Sequence, residues 1–240
     1  MVLFEMDVVR FIQIYIVQLG MGIVVVFIGL LILKRSTKRL NQIFATFYLL
    51  VAAATITNVI YASLTIRWVV KALHVLTVIL FWYATLYILV FCLIVYKSET
   101  VITVKRNNVI ALIYFVLLLV MAPIAYLMDG ITINETTDWK PVWNLAFAVY
   151  AFLLISVYIV IPLIYLLIKT YRTFEDDELK RRWKFFALGL FPYFLDLYLI
   201  TFSNFINDPT FRLITALVGL SIYASAFLLY YGVIRQIEKK

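Results

Sequence analysis

Residues 68–96 read WVVKALHVLTVILFWYATLYILVFCLIVY, a run with two basic side chains, Lys71 and His74, and no acid. An α-helix crosses roughly 30 Å of hydrocarbon with about 20 apolar residues, so this stretch is long enough to span a membrane by itself. It is continuously apolar, whereas a membrane β-strand alternates and needs only about 9–11 residues. Comparable runs occupy approximately 9–33, 42–65, 108–128, 143–168, 184–206 and 210–234, which brings the expected spans to seven. The fold class read from the sequence is therefore all-α: one polytopic bundle of seven transmembrane helices over residues 1–240, with short connections.

Composition leads to the same class. Hydrophobic residues make up 65% of the 240 and charged residues 14%, against about 45–50% and about 25% in soluble domains. The mean hydropathy is +1.03, which leaves too little polar surface to clothe a water-soluble core. Cys92 is the single cysteine and His74 the single histidine. A disulfide scaffold is thereby excluded, and a tetrahedral zinc site lacks ligands. No cofactor is expected, and no metal site.

The charges are distributed unevenly. If the amino terminus faces outward, the inner segments hold Lys34, Arg35, Lys38, Arg39, Lys97, Lys105, Arg106, Lys169, Arg172, Lys180, Arg181, Arg182, Lys184, Arg235, Lys239 and Lys240, sixteen of the 21 Lys and Arg. The outer half keeps Arg10, Arg67, Lys71, Lys140 and Arg212. Positive residues concentrate on the cytoplasmic side of membrane proteins, so the amino terminus is expected outside and the carboxyl terminus in the cytoplasm of a multi-pass cell-membrane protein. The formal charge of +8 then reflects topology and membrane lipids as partners, and nucleic acid need not be invoked. Asn134-Glu135-Thr136 fits a glycosylation sequon on the side expected to face outward.

Ionisable side chains within hydrocarbon are costly and mark functional positions. Asp196 sits deep in the sixth span, with Tyr193 and Pro192 one turn before it. Lys71 and His74 enter with the third span, and His74 is expected to pair with Asp196 directly or through water. Gln13 and Gln18 in the first span, Asn58 and Tyr61 in the second, and Asn144 at the start of the fifth fall in the same half. These groups predict an outer-half polar cavity, with Asp196, His74, Lys71, Asn58, Tyr193 and Gln18 as its ligand-binding residues. Each carboxamide has an alternative reading as interhelical glue. Trp68, Trp139, Trp143 and Trp183 are expected as interfacial anchors, and Pro123, Pro162 and Pro192 interrupt three spans.

The loop before the sixth span, KTYRTFEDDELKRRWK, places acids four residues before bases: Asp176 with Lys180, Asp177 with Arg181 and Glu178 with Arg182. That order supports a helix, so the sixth helix is expected to begin well before the membrane. Asp177, Lys180, Arg181 and Arg182 are its predicted contacts for a cytosolic or membrane signalling partner.

A retinal protein requires a Lys in the seventh span, which is absent here. Where a rhodopsin-like receptor carries DRY and NPxxY motifs, this chain has Val95-Tyr96-Lys97 and Tyr230-Tyr231-Gly232. DDELKRRWKFFALGL at 176–190 and FLLYYGVIRQ at 227–236 resemble two features of the seven-transmembrane sensor region that precedes the kinase in many prokaryotic membrane histidine kinases. The first corresponds to an acidic-then-basic entry to the sixth helix, the second to a basic exit from the seventh. The resemblance implies a sensor module. No dimerisation helix, phospho-acceptor His or ATP-binding domain follows Arg235, so the chain reads as a stand-alone or excised module with no kinase activity of its own. A receptor or sensor is thus the leading expectation. A proton- or cation-coupled transporter or channel, or a non-catalytic subunit of a membrane complex, stands as the alternative. No nucleophile with its base is evident, so no catalytic residue is assigned.

Overall fold

A computed structural model describes residues 8–233, with the side chain of Val9 left aside. The basic tail at Arg235, Lys239 and Lys240, and the end of the exit motif at 227–236, lie outside the described residues. Seven helices are long and apolar enough to cross a membrane: α1 Ile12–Arg35, α2 Arg39–Ala62, α3 Arg67–Lys97, α4 Val104–Leu127, α5 Leu145–Thr173, α6 Asp177–Ile206 and α7 Pro209–Val233. The chain is an integral, multi-pass membrane protein. A two-stranded antiparallel ribbon, β1 Ile131–Thr132 with β2 Val142–Trp143, folds the connection between α4 and α5 into a hairpin.

Successive helices run up and down, so the bundle has a hairpin end and a basic end. At the hairpin end, Arg10 donates to the carbonyls of Asp138 and Ala62, and Arg212 donates to that of Pro141. At the basic end, Arg39 donates to the Ile102 carbonyl. Helix α3 is central, with 67% of its apolar window buried, and α4 is peripheral at 28%. Large apolar side chains such as Leu112, Ile161 and Ile23 are exposed on α4, α5 and α1, as expected of surfaces solvated by lipid tails rather than water.

Several helices are irregular, each for a local reason. Proline lacks an N–H and clashes with the preceding turn. Near Pro123, α4 breaks at Val120. Before Pro162, α5 widens into a π-helical stretch, Ser156–Val160. Pro192 lies inside α6, where the neighbouring carbonyl of Gly189 accepts from Ser225 of α7. Two interruptions have no proline. Helix α1 is π-helical over Ile12–Gln18, and its Ile16 and Val17 carbonyls accept from the Tyr223 hydroxyl. Helix α7 is interrupted at Leu220.

Of the four tryptophans expected as interfacial anchors, only Trp68 is exposed, at 73%. Trp143 and Trp183 are fully buried and Trp139 is buried. The indole of Trp183 donates to the Leu167 carbonyl and stacks on Phe186, so its polar atom is satisfied by protein instead of the interface.

Helices α6 and α7 approach closely at Gly189 and Gly232. A Cβ on Gly232 would stand 2.6 Å from the backbone nitrogen of Phe186 and 2.8 Å from the Arg182 carbonyl oxygen, both rigid backbone. A Cβ on Gly29, in α1, would meet side-chain atoms alone, Leu49 Cδ2 at 3.2 Å and Tyr48 Cβ at 3.4 Å. Gly232→Ala is therefore expected to cost about 1–3 kcal/mol of stability through overpacking, with Gly29→Ala costing clearly less. Unfolding of the two variants in mixed micelles checks the difference.

Candidate functional site

The hairpin end of the bundle encloses a cavity of about 300 Å³ between α1, α2, α3, α6, the start of α7 and the hairpin. That is the volume of about ten waters, at the lower edge of ligand-pocket sizes, which run from about 300 Å³ upward. Phe81, Trp82, Leu197 and Ile200 form an apolar part of the wall, and Arg10, Lys140 and Arg212 bring three cationic side chains to it. Lys140 lies 3.8 Å from the carboxylate of Asp138.

Four carboxamides line the same space: Gln13 and Gln18 from α1, Asn58 from α2 and Asn204 from α6. None makes a hydrogen bond among the described residues, and Gln18 Oε1 is buried without a partner. Interhelical glue is the ordinary use of such side chains in membranes. Here they do not bond to one another or to neighbouring backbone. Polar side chains kept in a bundle without a protein partner offer donors and acceptors to whatever enters.

His74 is fixed from both sides. The Trp143 indole donates to its Nε2 at 2.9 Å, and the Tyr61 hydroxyl meets its Nδ1 at 2.9 Å. An indole N–H can only donate, so Nε2 must present a lone pair; the neutral ring then carries its hydrogen on Nδ1 and gives it to the Tyr61 oxygen. The hydroxyl hydrogen of Tyr61 is left over, on a side chain that lines the cavity. Trp143 also packs on Phe147 and Trp82, so the hairpin strand that carries it is locked against α3.

Three of the six residues expected at the cavity line it: Gln18, Asn58 and His74. The other three are placed elsewhere. Lys71 lies one turn nearer the helix start and extends over the Tyr126 ring of α4, 5.0 Å from its centroid. Tyr193 packs among Phe47 and Phe194 deeper in the bundle, and its buried hydroxyl has no partner. Asp196 faces α7 at Gly219, where Val17 of α1 also arrives. The expected pairing of Asp196 with His74 is not made, because both nitrogens of His74 are already engaged.

Sequence reasoning passed over Arg10, Trp82, Lys140, Asn204 and Arg212. Asn204 had a signal, since it shares a helical face with Leu197 and Ile200. Trp82 also had one, as an indole in mid-span must bond something; it donates to the Ala151 carbonyl.

At the basic end, Asp176 caps α6 by accepting from the Glu178 and Leu179 N–H groups. Asp177 and Arg181 are exposed and Lys180 half-buried. Arg182 departs from its expected outward role. It is only 5% exposed, bonds Glu178 at 3.0 Å, and lies 5.0 Å from the centre of the Tyr231 ring. Burial over an aromatic face makes it a clamp between α6 and α7.

Trp143→Phe removes the donor to His74 Nε2 in a closed site and loses indole packing, so it is expected to cost about 2–4 kcal/mol. Tyr61→Phe exposes His74 Nδ1 to cavity water and is expected to cost less than about 1 kcal/mol. Comparing the two unfolding midpoints checks the assignment. Among the described residues no group of three His, Cys, Asp or Glu side chains is placed to hold a metal ion. No family model, curated protein or solved structure matches this chain.

Proposed function

We propose that the protein is a receptor or sensor module that binds a small molecule or lipid headgroup in the hairpin-end cavity. The amino terminus is outside, so the cavity opens outward and the carboxyl terminus meets the cytoplasm. The observation that carries this reading is the cavity of about 300 Å³ lined by four carboxamides without protein partners. The orientation rests on the excess of Lys and Arg at the opposite end.

The same two helices link the cavity to the basic end. Helix α6 contributes Leu197, Ile200 and Asn204 to the wall, and α7 contributes Pro209 and Arg212. Further along, Arg182 and Tyr231 join these helices beside the exposed Asp177 and Arg181. Pro192 in α6 and the interruption of α7 at Leu220 lie between the two regions. A ligand that binds one α6–α7 arrangement more tightly than another shifts the population toward it. A cytosolic or membrane partner reads that shift at 177–181.

Cys92, the single cysteine, is buried in α3, which makes thiol labelling a direct test. In a Cys92→Ala background, Asn58→Cys is expected to react with a membrane-impermeant maleimide applied outside intact cells. Lys38→Cys is expected to react only after permeabilisation. The opposite pattern rejects the orientation, and an Asn58→Cys variant that stays unreactive from both sides rejects the open cavity. Small-molecule fractions that protect this introduced thiol then supply the ligand for spin-label distances between positions 181 and 231. An unchanged distance on binding rejects signalling through α6 and α7.

A further inference from the structure

The hydrogen-bond chain through His74 fixes the direction of its last member. The Trp143 indole donates to Nε2 and Nδ1–H gives its hydrogen to the Tyr61 oxygen, each at 2.9 Å, so the phenolic hydrogen must point away from His74. Tyr61 is 5% exposed and lines the cavity, and this hydrogen has no acceptor among the described residues. A buried O–H without an acceptor keeps its desolvation penalty. Successive members of such a chain polarise one another. Tyr61 therefore offers the cavity a donor of fixed sense, and what it meets there must be an acceptor.

The wall is graded from polar to apolar. On α3 the lining runs through His74, Val78 and Phe81, and on α6 through Asn204, Ile200 and Leu197. At 1.5 Å per residue, each series descends about 10 Å from the hairpin side into the bundle. Asn58 lies one turn from Tyr61 on α2 and supplies a second donor beside it. Gln18 is the one carboxamide at the lower level, since its neighbour Val17 packs at Gly219 together with Asp196.

We propose that the ligand of this cavity is an acyl compound, seated with its carboxylate or ester oxygen on the Tyr61 hydroxyl and its apolar chain against Phe81 and Leu197. The proposal rests on the reading of the cavity as a ligand site and names the ligand's class. A volume of about 300 Å³ holds about ten non-hydrogen atoms at the density of water, which is the size of an eight-carbon acid. An ammonium head is disfavoured twice. It has no lone pair for Tyr61, and Arg10 and Arg212, held by main-chain carbonyls, line the same space with like charge. His74 and Trp143 are positioning residues: they act on the acyl oxygen through Tyr61.

Labelling of Asn58→Cys by maleimide in a Cys92→Ala background, in lipid nanodiscs, tests the class with octanoate and methyl octanoate against octylamine of the same chain length. Octanoate or its ester is expected to slow the reaction, and octylamine to leave it unchanged. Protection by both acyl probes assigns the head to a neutral carbonyl, and protection by octanoate alone to a carboxylate; either result keeps the class. Tyr61→Phe is expected to weaken the protecting probe about tenfold, and Gln18→Leu, at the chain end, to leave it as tight or tighter. Trp143→Phe frees Nε2, so His74 is able to shift its hydrogen there and accept from Tyr61. It is expected to weaken the probe several-fold alone and to add little to Tyr61→Phe. Should Trp143→Phe not fold, Tyr61→Phe decides. Equal protection by octylamine, protection that survives Tyr61→Phe unchanged, or its loss in Gln18→Leu overturns the acyl assignment. A thiol that reacts but is protected by none of the probes overturns it too and leaves the cavity reading standing, whereas a thiol that never reacts overturns both.

Discussion

A polar atom surrounded by hydrocarbon must find a partner inside the protein or keep the full penalty of desolvation. Most of this bundle obeys that constraint at every level. Backbone groups are paired within helices, and threonines at 55, 57, 77, 85, 201 and 215 bond carbonyls one turn back. Mid-bundle indoles and phenols reach across to other helices, as Trp82 does to Ala151 and Tyr48 to Ala226. Exceptions are scattered, as at Asn41, Tyr114, Thr170 and Tyr193, and one group of them shares a single space. Four carboxamides line one cavity, and the lone buried acid stands next to its floor.

The irregular helices follow from the same constraint. A π-helical stretch or a one-residue break releases carbonyls, and release is tolerated only where something else donates. In α1 the donor is the Tyr223 hydroxyl. In α6 the Ser225 hydroxyl donates to the Gly189 carbonyl, next to the Leu188 carbonyl that Pro192 leaves without an N–H. Both donors come from the second segment of α7, so α7 is stitched to the irregular parts of α1 and α6 just beyond its own break. The bends are thus matched across helices, and α7 cannot shift along α1 without losing hydrogen bonds at both.

The seven helices were legible in the sequence because continuous apolar length is a strong signal and short polar connections bound it. The spans read from 184 and 143 differ from α6 and α5 mainly at their polar ends, where helix continues into water on capping and charge pairs; the early start of α6 was itself visible in DDELKRR. The cavity was legible only in part. Periodicity placed Gln18, Asn58 and His74 in the correct half, but it could not tell which way each helix turns. Lys71 is a single turn from His74 and faces Tyr126 instead. Asp196 is one residue before Leu197, yet the turn of about 100° between them points Asp196 to Gly219 and away from the cavity wall. The tryptophans misled for a different reason. A Trp near a span end suits the interface, but the hairpin carries Trp143 back over the bundle, where the lone pair of His74 holds it. The hairpin is a tertiary feature, and only a short ribbon of two residue pairs marks it.

The division of labour among helices also limits where motion can arise. Helix α3 is enclosed on most sides and holds His74, Trp82 and the backbone of the core, so it acts as the fixed reference. Helices α4 and α5 contribute no residue to the cavity wall and show much of their surface to lipid. The pair α6–α7 differs from both. It lines the cavity at one end, is clamped by Arg182, Tyr231 and Gly232 at the other, and is interrupted in between. Close glycine packing at the basic end resists separation of the two helices there, so a displacement imposed at Asn204 or Arg212 must move them together or bend them at Pro192 and Leu220. Asp196 sits between those two bends.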